Sequence, residues 1–337
     1  MQHSTLTMPR ADNFSETGWQ SVLAGAVRDP AELCRLLGLP ATLAAEAARA
    51  ARQFPLRVPR PYLARIRPGD PGDPLLAQVL PTREEQADCP HFVRDPLGEA
   101  ADACPAGLLR KYKRRVLILA SGACGVHCRF CFRRHFPHRD AKNSFAEALA
   151  RIAADESIEE VILSGGDPLV LSDRRLAELA GQLAEIPHLR RLRLHTRLPI
   201  VIPQRVTESL VAWLRGTRLA PWVVVHVNHP AELDAAVAAA LGRLIDAGIP
   251  VLNQAVLLAG VNDRADVLAD LCRRLADLRV MPYYLHQLDR VAGAAHFEVP
   301  EARGIQLVAA LRAQLPGYAV PRYVRDRRGA ASKQVLA

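Results

Sequence analysis

From Arg114 onward the chain alternates short, β-branched apolar runs with stretches of helical spacing. The runs fall at 116–120, 160–163, 192–195, 222–227, 251–257 and 280–286, and helical spacing occupies 144–154, 173–184, 204–215, 231–247 and 264–276. Strands separated by helices of this length pair in parallel, because each helix carries the chain back to the edge where the next strand starts. The pattern predicts an α/β fold, either a doubly wound sheet or a partial (β/α)6 TIM-like barrel. No Gly-x-Gly-x-x-Gly follows the first run, which disfavours a dinucleotide fold.

In parallel barrels ligands bind at the C-terminal strand ends, and here those ends are polar. The first run leads to Cys124, the second to Ser164-Gly165-Gly166-Asp167, and the third to His195-Thr196-Arg197. The fourth leads to His226-Val227-Asn228-His229, the fifth carries Asn253 and Gln254, and the sixth leads to His286-Gln287-Leu288-Asp289. One such end is an ordinary cap or turn. All of them together predict a single large polar site on one rim. His195, His226 and His229 read equally well as ligand contacts or as satisfied strand-end side chains.

Cys124, Cys128 and Cys131 form a C-x3-C-x2-C cluster directly after the first run. Thiolates at this density suit a [4Fe–4S] cluster with one iron left open. His135 keeps a Cys3His zinc site as a competitor, since zinc prefers a closed tetrahedral set. The other cysteines, Cys34, Cys89, Cys104 and Cys272, are isolated and read as plain thiols, so a secreted disulfide framework is not expected.

The 337 residues divide into an N-terminal helical and proline-rich region (1–105), the alternating region (106–300) and a C-terminal segment (301–337). Helical spacing covers 30–53, and the proline-dense passage after it predicts an irregular wrap. The net charge of +9 admits a second class of function, a zinc-stabilised, basic nucleic-acid-binding protein. Dispersed arginines and few aromatics favour a solvated basic surface instead. No run of 18 apolar residues occurs, and residues 1–16 lack a signal peptide's apolar segment, so no membrane span and a cytoplasmic location are expected.

The motif Cys124-x3-Cys128-x-Phe130-Cys131 and the Gly165-Gly166-Asp167 segment resemble the radical S-adenosylmethionine (SAM) superfamily. More closely, the chain resembles its lysine 2,3-aminomutase family. The likeness rests on Tyr112, on 131–136, 163–167, His195-Thr196-Arg197-Leu198-Pro199 and 226–230, and on Pro282-Tyr283-Tyr284 and His296-Phe297. The resemblance implies a [4Fe–4S] cluster on the three cysteines, with S-adenosyl-L-methionine on its open iron. It also implies a 5′-deoxyadenosyl radical and pyridoxal 5′-phosphate carrying the migrating amino group of lysine. The short C-terminus most resembles members that make β-lysine for elongation factor P. That implies links to this factor, to its β-lysine ligase and to an electron-donating reductase, with a homo-oligomer compatible.

Pyridoxal phosphate needs a lysine, and the chain has only Lys111, Lys113, Lys142 and Lys333. Lys111 and Lys113 precede the first strand, which in an ideal barrel places them away from the rim, and Lys142 lies in a loop. Lys333 remains and matches the family's pyridoxal lysine, although the family's glycine-rich run before it is reduced to Gly329. Arg133 matches the family's carboxylate-binding arginine, and Asp289 and Asp326 match the pair holding the ε-ammonium. Two carboxylates there favour lysine over glutamate. Ser164, Gly165, Gly166, Asp167, Arg197, Gln254 and Tyr112 are the implied cofactor contacts, with the glycines giving close backbone approach to a ligand.

Overall fold

The computed structural model describes residues 18–102, 106–137 and 145–337. The polar 1–16 stretch, Cys104 and Lys142 lie outside the described residues. The sheet has nine strands: β1 (Leu108–Leu109), β2 (Arg115–Ser121), β3 (Glu160–Gly165), β4 (Arg191–Thr196), β5 (Ala220–Val225), β6 (Val251–Val256), β7 (Met281–His286), β8 (Arg322–Arg325) and β9 (Gln334–Val335). They pair in sequential order, parallel from β2 to β8, with β1 and β9 antiparallel at the two edges. A doubly wound sheet reverses its order at a switch point. This order never reverses, so the barrel alternative holds, and the barrel stays open because β1 does not pair with β9.

Strand β8 extends the parallel set beyond the six expected strands. Its sequence, Arg322-Tyr323-Val324-Arg325, hides it: only Tyr323 and Val324 are buried, and the flanking arginines read as a basic cluster. Elsewhere capping chemistry moves the expected boundaries. The helix expected at 204–215 begins at Glu208, because Thr207 caps it by accepting from Leu210 N, and Pro203–Arg205 forms a separate 3-10 turn. Asp234 does the same for Ala235–Asp246. The helix Asp173–Ala184 buries Leu176, Leu179, Ala180 and Leu183, one stripe of an amphipathic helix.

Helical spacing over 30–53 resolves into Pro30–Leu36 and Ala41–Ala50, broken where Gly38 takes a φ of +64°. The 1–105 region shares the apolar core of the barrel. Trp19, Leu33, Tyr62 and Leu76 belong to one buried cluster with Val161, Leu192 and Val223 of the strands. Among the described residues, no helix is long and apolar enough to cross a membrane.

Candidate active site

Strand β2 ends at Ser121, and the cysteine loop that follows is pinned to the loop after β3. Gly166 N donates to Ser121 O at 2.7 Å and Asp167 N to Ala123 O at 2.8 Å. Gly165 has a φ of +110°, a conformation that favours glycine. A Cβ on Gly166 would lie 2.2 Å from Ala123 O. Gly166 thus lies against Ala123 of the cysteine loop and Gly165 against Leu119 and Ser121 of β2, while both glycines also line the cavity described below. We expect Gly166→Ala to cost about 1–3 kcal/mol by overpacking and to lower iron incorporation after reconstitution. Wild-type iron content in that variant would show that the loop yields.

The Asp167 carboxylate is fully committed. Oδ1 accepts from Leu169 N and Thr196 Oγ1, and Oδ2 from Arg197 N and Leu198 N, at 2.7–3.0 Å. It orders the loops after β3 and β4.

The N-terminal region braces the other side of the cysteine loop. Glu85 accepts from Arg129 Nε at 2.8 Å and from Arg129 Nη2 and Arg134 Nη2, each at 2.5 Å, with Arg129 fully buried. Arg129 Nη1 donates to Phe54 O at 2.9 Å, and His127 N donates to Arg57 O at 3.1 Å. The proline-dense passage thus offers carbonyls that no regular strand or helix consumes, and the cysteine loop takes them.

A single cavity of about 540 Å³ is lined from Leu117 of β2 to Val335 of β9, so the sheet curves around it. Cys124, Cys128 and Cys131 enter from the β2 edge, and Lys333 from the β8–β9 edge. Burial, together with the neighbouring thiols, pushes Cys131 up to about 11 and Cys124 well above its usual range. A metal bound there would supply the positive charge that buried thiolates need. His135 does not join them: its Nε2 sits 3.0 Å from Ala292 O. Among the described residues no three His, Cys, Asp or Glu side chains converge as a single-ion site requires. Three thiols from one loop suit a [4Fe–4S] cluster with an open iron, and His135, held on Ala292 O, is not placed as a fourth zinc ligand.

Arg133, Ser164, Gly165, Gln254, Asp289 and Asp326 all line this cavity. Arg133 is nearly buried; its Nε donates to Glu99 at 2.7 Å and its Nη1 to Gly165 O at 3.2 Å. Glu99 also takes Lys111 Nζ at 3.2 Å. Lys111 therefore reaches the cavity, contrary to the expectation drawn from its place before β2. Glu99 holds Arg133 after β2, and Tyr112, just before β2, bonds Asp326 after β8. Neither link was visible in the sequence, because each joins residues far apart in the chain.

Asp326 is bonded to both Lys333 Nζ and the Tyr112 hydroxyl. Burial raises its pKa, but Lys333 and Lys111 outweigh that and hold it at about 2. Asp289 goes the other way: enclosure and the Asp326 charge push it up to about 7. Tyr112, expected as a cofactor contact, spends its hydroxyl on Asp326 and its ring on the Arg115 guanidinium, 4.6 Å away. Of the histidines left open, His195 and His226 line the cavity, as does His286, and burial keeps His226 and His286 near 3, hence neutral. His229 is a cap, accepting from Ala231 N at 3.1 Å. Phe130 of the cysteine motif stacks on His226 at 5.4 Å and meets Phe297 edge-on at 6.2 Å.

Residues 118–272 match the radical SAM superfamily profile. The chain is 46% identical to L-lysine 2,3-aminomutase of Escherichia coli over 96% of this chain and 95% of that protein. It is 44% identical to the Haemophilus influenzae enzyme of the same name, over 96% of each chain. With the Clostridium subterminale L-lysine 2,3-aminomutase it shares 39% identity over 81% of this chain and 66% of that one. With its parallel open barrel, its cysteine loop and this likeness over nearly its whole length, the chain belongs to the lysine 2,3-aminomutase family of radical SAM isomerases.

Proposed function

We propose that the protein converts L-lysine to β-lysine with a [4Fe–4S] cluster on Cys124, Cys128 and Cys131, SAM, and pyridoxal phosphate on Lys333. One observation carries this: cysteines following β2 and a lysine from the end of the chain share one cavity, beside a cationic seat and an anionic one. When bound, these groups supply one-electron cleavage of SAM and a conjugated ring that carries the amino group. The residues do the rest. Arg133 takes the substrate carboxylate through the guanidinium edge that Glu99 leaves free, and Asp289 and Asp326 take the ε-ammonium. Lys111, Arg115 and Arg322 add positive charge to the wall, which suits an anionic cofactor. Lys333 Nζ bonds Asp326; committing Lys333 to the cofactor would take that cation away and leave Asp326 to the substrate ammonium.

The test is anaerobic reconstitution with reductant, SAM, pyridoxal phosphate and L-lysine. β-Lysine formation is expected; its absence with a full cluster and bound pyridoxal phosphate would sink the reading. Use of the product on elongation factor P is carried over from resemblance. Deleting the gene is expected to remove a β-lysyl mass increment from that factor, and an unchanged mass would refute the link.

The charge state of Asp289 sets a pH dependence. An ammonium binds the carboxylate, not the acid, so lysine affinity should weaken as pH falls through about 7, where Asp289 takes up a proton. KM for lysine is expected to rise about tenfold per pH unit below that point. In Asp289→Asn it should be high and flat. A KM that ignores pH in the wild type would remove Asp289 from the ammonium seat.

A further inference from the structure

Arg197 does something its sequence position did not suggest. It is expected as a cofactor contact, and within the protein its guanidinium is held by three partners. Nη1 donates to Cys128 Sγ at 2.8 Å, while Nη2 donates to Glu232 at 2.9 Å and to Gln78 at 2.6 Å. The rings of Tyr62 and Phe130 flank it, each with its centroid 5.6 Å from the guanidinium carbon. Gln78, Glu232 and Asn228 are fully buried around it. Glu232 is itself fixed by Asn228 N at 2.9 Å, His229 N at 3.1 Å and Gln78 Nε2 at 3.2 Å. A side chain held on so many sides has one orientation. It aims a permanent positive charge at one sulfur.

Among the three cysteines, Cys128 alone receives a bond from a buried side-chain cation among the described residues. Accepting an electron makes a cluster and its thiolates more negative. A cation and a hydrogen bond at a ligating sulfur stabilise that reduced form, most strongly where water is excluded. Glu232, on the far fork of the guanidinium, offsets part of the charge.

We propose that Arg197 raises the reduction potential of the cluster through its bond to Cys128, and that Glu232 limits the rise. This rests on the reading that Cys124, Cys128 and Cys131 hold a cluster. The two side chains thereby set how strong a one-electron donor must be to start turnover. Neither reacts; both act through the sulfur.

The test is a redox titration of the anaerobically reconstituted protein, without SAM or lysine, following the paramagnetic signal of the reduced cluster. Arg197→Gln keeps a donor but loses the charge. It is expected to hold about tenfold less reduced cluster at a fixed poise, the equivalent of about 59 mV for a one-electron couple. Glu232→Gln should move the midpoint the opposite way. A merely structural role has no reason to give opposite signs. Unchanged midpoints, or shifts in the same direction, would overturn the inference. Should Arg197→Gln fail to retain iron, the sign of Glu232→Gln decides. A wild-type protein without iron and sulfide would instead defeat the cluster reading, and this inference with it.

Discussion

Replacing Lys333 with alanine is expected to abolish β-lysine formation while iron and sulfide content stay at the wild-type level. The loss should be on the order of 10⁴-fold or more, as for removal of other covalent catalytic groups. The separation follows from placement: Lys333 stands at the β8–β9 edge and the cysteines beyond β2, at opposite ends of the parallel set. Its only polar side-chain partner among the described residues is Asp326, so its removal leaves the cysteine loop untouched. Pyridoxal absorbance from a lysine Schiff base should vanish from the variant as well. Since Lys111 also reaches the cavity, the companion Lys111→Ala decides between the two lysines. Retained turnover in Lys333→Ala, together with its loss in Lys111→Ala, would reassign the cofactor lysine.

The largest stability effect is expected at Glu85, far from either cofactor lysine. Glu85→Gln leaves Arg129 and Arg134 buried against a neutral amide. Removing one partner of a buried ion pair costs about 3–5 kcal/mol, because the remaining charge has lost both water and its counter-ion. Chemical denaturation of the cofactor-free protein measures this directly, and iron uptake should fall in parallel because both arginines belong to the cysteine loop. A loss below about 1 kcal/mol would mean that the carbonyls of Phe54, Pro55 and Gly293, already bonded to these arginines, suffice to hold them.

Chemistry written as a local word was legible before any coordinates. The cysteine spacing, the glycine pair after β3 and the alternation of strands and helices are short-range features, and each lies where it was expected. What those features touch was not legible. Gly165 and Gly166 were legible as points of close backbone approach; that β2 and the cysteine loop are what they lie against was not. Nor were the protein partners of Asp167 and Arg197: the first closes four hydrogen bonds within the fold, and the second faces a sulfur. The partners of Arg129 and Arg197, Glu85 and Glu232, are 44 and 35 residues away in the chain.

The sequence alone thus determined the class of fold and the inventory of reactive groups, since periodicity and motif spacing act over a few residues. Only the tertiary structure decided which charges pair, because burial removes water and forces each ion to find its counter-ion wherever the chain brings one. That is why Lys111, assigned to the wrong end of the barrel, turns up in the cavity. Its ion pair with Glu99, which also holds Arg133, fixes it there, and a pairing made through tertiary contact leaves no period to read.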